Sequence, residues 1–257
     1  MNNLFNINRF GRLFIKHTAE HYKSYLMSLI VLIGVMLLGG TFFVYMIPDS
    51  MDVGLQSVLF VIVLLLAGTI FTSTIFSDLG EKKKSIATLT LPVSHFDKYL
   101  VAWLYSFVIF LLTFTGTFYM ILIFLLHLNP VPRRPIGVFN IFSNPVGYLM
   151  ITLFALLQSI AFYGAIFFEK LHFIKTGLIF FVSFAALIFI NKIFLSLLLQ
   201  KDVSPTMPFG NIRLLEKGKE VIVKIPAWQA DPLLWFMLVL ALLFWIAAYY
   251  RLKEKQV

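Results

Sequence analysis

Six runs of the chain, residues 25–47, 54–76, 99–126, 145–168, 176–199 and 232–250, are almost free of charge and long enough to cross a bilayer. A spanning helix needs about 20 apolar residues at a rise of about 1.5 Å each. Hydrocarbon offers no water to pair with peptide groups, so a spanning segment must satisfy them inside a helix or in a closed barrel. Barrel strands alternate apolar and polar residues over about 10 positions. These runs are instead continuous Leu, Ile, Phe and Val, which predicts an all-α polytopic membrane protein of six transmembrane helices. Composition agrees: 60% of residues are hydrophobic and 13% charged, against about 45–50% and about 25% in soluble domains. Too little polar surface remains to cover a cytosolic globule. The absence of cysteine removes disulfides, thiolate metal sites and cysteine nucleophiles.

The net charge of +9 would point a soluble protein toward nucleic acid. Here it reads as the positive-inside bias of cytoplasmic loops, and no nucleic-acid partner is expected. With the N-terminus inside, the inner flanks hold Arg9, Arg12, Lys16 and Lys23, then Lys82, Lys83, Lys84 and Lys98, then Lys170 and Lys175, and finally Arg251, Lys253 and Lys255. The first outer loop, around Asp49 and Asp52, has no basic residue, and the second has Arg133 and Arg134. The third, 200–231, carries Lys201, Arg213, Lys217, Lys219 and Lys224, a departure that longer translocated loops tolerate. Both termini are therefore expected in the cytoplasm. Tyr99, Trp103, Trp245, Tyr249 and Tyr250 fall at inner ends, and Tyr45, Tyr148 and Trp235 at outer ends, where amphipathic rings prefer the headgroup zone.

Three further segments flank or join the spans. Residues 1–24 lack the short apolar region of a secretory signal. Phe10, Leu13, Phe14 and His17 recur at helical spacing among basic residues, which predicts an amphipathic interfacial helix on the cytoplasmic leaflet, anchored partly by anionic lipid. In the loop 200–231, strand-like Ile212–Leu215 and alternating Val221, Val223 and Ile225 flank the turn residues 216–219 and predict a hairpin. It either caps the outer mouth of a pathway or simply connects two helices. Residues 251–257 form a short cytoplasmic tail around the 25–250 membrane domain.

Catalytic chemistry finds little purchase. His17 and His21 share one helix face, yet Thr18 stands where a zinc-protease helix has its Glu, and Glu20 adjoins the second His instead. His95, His127 and His172 are scattered, so no metal site or cofactor is expected. The chain has no G-x-S-x-G elbow and no phosphate-binding loop, and no catalytic residue is assigned. Within the spans, Lys192 lies beside Asn191 near the outer interface, close enough to snorkel. Two clusters, Gly68, Thr69, Thr72, Ser73 and Thr74 in the second span and Thr113, Thr115, Gly116 and Thr117 in the third, read as close helix packing in preference to a substrate path.

The insert 77–98 between the second and third spans is far longer than a hairpin needs. Placed on a helix, Leu79, Ile86 and Leu89 gather on one side and Glu81, Lys84, Ser85 and Thr88 on the other, until Pro92 stops it. Such a short amphipathic helix across the mouth of two spans is either a docking lever for a soluble partner or a basic turn lying on lipid.

The stretch Glu81-Lys82-Lys83-Lys84-Ser85 through Leu89-Thr90-Leu91-Pro92-Val93-Ser94, followed by Lys98 and a long span, resembles the first cytoplasmic loop of type 2 ABC transporter permeases. It is most similar to the stand-alone permeases of Bacteroidetes-like bacteria, as is the ending Arg251-Leu252-Lys253-Glu254-Lys255-Gln256-Val257. The resemblance implies a permease subunit that pairs with a second permease chain, identical or related. It also implies a separate ATPase subunit that hydrolyses ATP to move a substrate, often by export. On that reading 77–98 is a coupling helix, with Ile86, Leu89 and Leu91 packing it and Glu81, Lys84, Ser85 and Thr88 contacting the ATPase. Two other classes stay open: an integral membrane enzyme acting on lipid through His95 or the His17/His21 pair, and a non-transporting anchor subunit.

Overall fold

The computed structural model describes residues 6–46, 52–76, 94–128, 137–142, 145–168, 171–208, 210–216, 219–223 and 230–255. Its helices are α1 (Ile7–Met46), α2 (Val53–Ile75), α3 (His95–Leu128), α4 (Pro145–Phe167), α5 (His172–Leu199) and α6 (Ala230–Glu254). Each of the six is long and apolar enough to cross a membrane. Ser94 opens α3 by accepting from the backbone N–H of Asp97 at 3.1 Å, which satisfies one of the donors a helix start leaves orphaned. Asp52 does the same for α2, through the N–H of Val53.

Side-chain pairings give the directions of the helices. Arg9 meets Asp97 near the starts of α1 and α3, and a Cβ on Gly40 would collide with Leu125 near their ends, so these two run parallel. Phe76 packs on Phe162, and Gln158 and Ile166 of α4 meet Trp245 and Lys255 of α6, so α2, α4 and α6 also run together. Trp103 against Trp245 and Phe96 against Tyr249 set α6 antiparallel to α3. The start of α1 and the end of α6 therefore lie at one end of the bundle, here called the terminal end, with the first residues of α3 and α5.

Two buried clusters stack along the bundle. The far-end cluster centres on Phe60, Leu64, Phe114, Phe118, Phe139 and Phe154. The terminal-end cluster joins Ile75, Phe76, Tyr99, Val101, Phe162, Ile166 and Leu252, with Phe10, Leu13 and Phe14 of α1 packed against it. The amphipathic N-terminal stretch is helical, and it continues into the first span without a break at residue 24. Its aromatic face meets protein: Phe14 stacks on Tyr105 at 5.0 Å and Thr18 hydrogen-bonds the Tyr105 hydroxyl. At about 1.5 Å per residue, 40 residues make a rod of about 60 Å, roughly twice the hydrocarbon thickness.

At the far end the expected hairpin is present as β1 (Ile212–Glu216) and β2 (Lys219–Val223), antiparallel with Ile212 opposite Val223. An isolated bridge from Val203 to Leu214 adds a second, shorter pairing to β1. Asn191 donates to the Thr206 carbonyl at 3.0 Å. That bond folds the segment after α5 back along the helix, a use of Asn191 that its place in an apolar run did not announce.

Candidate functional site: the terminal end of the bundle

The residues that sequence reasoning assigned to partner docking, Glu81, Lys84, Ser85, Ile86, Thr88, Leu89, Leu91 and Pro92, lie outside the described residues, as does the whole stretch 77–93. What the structure does describe is the platform from which that stretch leaves and to which it returns. Phe76 at the end of α2 is buried against Phe162, and Tyr99, one turn into α3, is buried against Phe162 and Tyr249. The Tyr99 hydroxyl donates to the Trp245 carbonyl at 2.9 Å. Both roots of the insert are thus fixed in one core shared by α1, α2, α3, α4 and α6.

α1 is tied to this platform by charge as well as by rings. The Arg9 Nε donates to Asp97 Oδ2 at 2.6 Å; the Asp97 side chain is fully buried and that of Arg9 is 29% exposed. Asp97 Oδ1 has no hydrogen-bond partner, so the buried carboxylate depends on Arg9 and on the first turn of α3. Further along, His17 Nε2 and the Tyr25 hydroxyl are 2.7 Å apart, and Tyr25 stacks on Tyr105 at 5.2 Å. The His17 and His21 rings lie 4.4 Å apart. His21 Nδ1 is directed to the His17 carbonyl at 3.1 Å. Among the described residues no three of His, Asp and Glu converge as metal ligands would. His95 and His172 begin α3 and α5 at the terminal end, while His127 ends α3 at the other.

Above the platform sits a polar link inside the apolar bundle. Residues Leu104–Ile109 form a π-helical segment within α3. From it the fully buried Ser106 accepts a hydrogen bond from Gln158 Nε2 at 2.9 Å, and Gln158 Oε1 accepts from Trp245 Nε1 at 2.8 Å. One amide therefore joins α3, α4 and α6. Wide π turns break the regular ladder of a helix and frequently occur at functional positions. Sequence reasoning passed over Gln158; the available signal was a lone amide within an otherwise apolar span. The hydroxyls it singled out largely bond their own helices: Thr72 to the Gly68 carbonyl, Ser73 to Thr69 and Thr69 to Leu65. Gly68 makes a close helix contact, since a Cβ there would strike the Phe154 ring.

The far end has a second amide device. Gln56, fully buried, donates to the Gly137 carbonyl at 2.9 Å and accepts from the Phe139 N–H at 2.8 Å. The Tyr119 hydroxyl donates to the Phe139 carbonyl at 2.9 Å and accepts from the Ile141 N–H at 3.2 Å. Phe139 and Ile141 are thereby buried to 1% and 2% exposure, and residues 137–142 plug the bundle between α2, α3 and α4.

No family model, curated protein or solved structure matches the chain. The fold and its core define the class without them: an all-α polytopic membrane protein, embedded through six apolar helices.

Proposed function

We propose that the chain is the membrane-spanning permease subunit of an ABC transporter, moving a substrate, in the export direction, with ATP hydrolysed by a separate ATPase subunit. It works as a pair of permease chains in a bacterial inner membrane, with both termini cytoplasmic. The observation that carries the reading is the terminal-end core: the long insert 77–93 is rooted at Phe76 and at Ser94–Tyr99 in a packed unit that includes every helix except α5. A lever transmits force only if its roots do not yield, and these roots are buried aromatic side chains and an ion pair whose carboxylate is fully buried. The bias of basic residues toward this end supports a cytoplasmic placement.

The test is gentle detergent purification of tagged protein from its native host, with mass spectrometry of what copurifies stoichiometrically. An ATPase subunit with a phosphate-binding loop is the expected result, and Leu89→Asp is expected to release it while the permease still inserts. Recovery of the chain alone, also after crosslinking, would sink the transporter reading. An associated complex without ATPase activity would mark an anchor subunit instead.

A further inference from the structure

Asp97 uses one carboxylate oxygen and leaves the other idle. Oδ2 accepts from Arg9 of α1 at 2.6 Å, Oδ1 has no hydrogen-bond partner, and the side chain is fully buried. A buried carboxylate oxygen without a donor is costly, and such an atom in a native structure calls for an explanation. Its place in the chain supplies one. Ser94 is the N-cap of α3 and Asp97 is its third residue, which is the spacing of a capping box. In that arrangement the cap side chain accepts from the N–H of the third residue, and the acid reaches back to the N–H of the cap. Half of the box is present, since Ser94 Oγ accepts from the Asp97 N–H at 3.1 Å. The reciprocal bond to the Ser94 N–H is absent, because Oδ1 has no donor and Oδ2 is turned to Arg9. The two claimants of this carboxylate stand on different elements. Arg9 lies in the first turn of α1, and Ser94 is the residue at which the insert 77–93 joins α3.

We propose that Asp97 is a two-position switch between Arg9 and the Ser94 N–H, and that its choice couples the seat of α1 to the root of the insert. With α1 seated, the carboxylate holds Arg9 and the box stays half open, so Ser94 is pinned through its hydroxyl alone. With α1 lifted, the carboxylate turns back, accepts from the Ser94 N–H and fixes the point where the insert ends. The acid is supported without its cation because the start of a helix carries partial positive charge and N–H groups with no partner inside the helix. Seating α1 therefore frees the root, and lifting it stiffens the root. The switch is a property of the chain alone. Its use, to ready the insert for a soluble partner, rests on the transporter reading.

The test is residue-resolved hydrogen exchange on the full chain in lipid nanodiscs, with no ATPase present. Arg9→Gln should speed exchange over residues 7–25 about tenfold, the loss of a charged hydrogen bond of about 1.5 kcal/mol. The same variant should slow the Ser94 amide about fivefold, the gain of a bond of about 1 kcal/mol. An ion pair with a structural role alone would loosen both sites together, so a Ser94 amide that is faster or unchanged in Arg9→Gln overturns the switch. Asp97→Ala can make neither bond and should speed both sites; a Ser94 amide slowed in that variant would also overturn the proposal. Should Arg9→Gln fail to fold, Asp97→Asn carries the test. Its amide oxygen can still accept from the Ser94 N–H but meets Arg9 without a charge, so opposite changes are again expected and parallel ones overturn the switch. Its failure leaves the transporter reading standing, and absence of a copurifying ATPase leaves the switch standing.

Discussion

A glutamine within an apolar helix brings two donors and an acceptor oxygen that hydrocarbon cannot satisfy, so each of the two buried amides has to be accounted for by what it binds. Gln158 pairs with side chains of neighbouring helices. Hydrogen bonds of this kind in membrane bundles contribute only about 0.6 kcal/mol on average, since the separated helices also find partners. Gln56 differs because its partners are the backbone groups of a loop, Gly137 O and Phe139 N. Gln56→Leu leaves the Phe139 N–H buried and unpaired, at a cost of about 1–3 kcal/mol, and takes from the more exposed Gly137 carbonyl its side-chain partner. Gly147→Ala attacks the same plug from the other side, since a Cβ there would run into the Ile141 carbonyl, a backbone atom that cannot rotate away. Both variants should lower the midpoint of thermal unfolding in detergent and expose residues 137–142 to hydrogen exchange, with α5 unaffected. Unchanged exchange in that segment would mean the amide does not hold it.

At the scale of elements, α1 shows how far periodicity reaches and where it stops. The spacing of Phe10, Leu13, Phe14 and His17 reveals an apolar face on a helix, and that face exists. Periodicity does not say what covers the face. A lipid surface and the flank of α3 ask for the same side chains, and the contacts of Arg9 with the buried Asp97 and of Phe14 with Tyr105 decide for protein. The six spans were legible because each is an unbroken apolar run. Residues 137–142 were not, because a re-entrant plug is held by partners far away in sequence, Gln56 and Tyr119. The π segment of α3 was equally silent, since its sequence, Leu104–Ile109, has nothing a regular helix would reject. Docking of α1 on α3 predicts that Arg9→Cys and Asp97→Cys, placed in this cysteine-free chain, are joined by a short bismaleimide reagent in membranes. A control pair, Arg12→Cys with Asp97→Cys, turns the first thiol to the exposed side of α1 and should react far less. Equal yields would mean that the N-terminal half of α1 is not seated on α3.

For the whole molecule, the alternation of six helices sorts the described residues into two ends, and this sorting carries any functional assignment. Arg12, Lys175 and Lys253 belong with the terminal end, and Gln56, Ser204 and the hairpin with the other. The pairings that fix this, Arg9 with Asp97, Trp103 with Trp245, Phe76 with Phe162, and Ile166 with Lys255, link five of the six helices. α5 is the exception, with no buried residue and a collision between a Gly164 Cβ and Thr176 as the mark of its contact with α4. Its direction follows from that contact near its start and from the return of the chain through 200–208 at its end. Single cysteines at Arg12, Lys175 and Lys253 should therefore react with an impermeant maleimide from one face of a sealed vesicle, and one at Ser204 from the other. In right-side-out vesicles the basic bias assigns the first group to the inside. Labelling of all four from one face would break the alternation itself. Reversal of the two groups would keep the fold but move the insert 77–93 to the outside, where no ATPase could reach it.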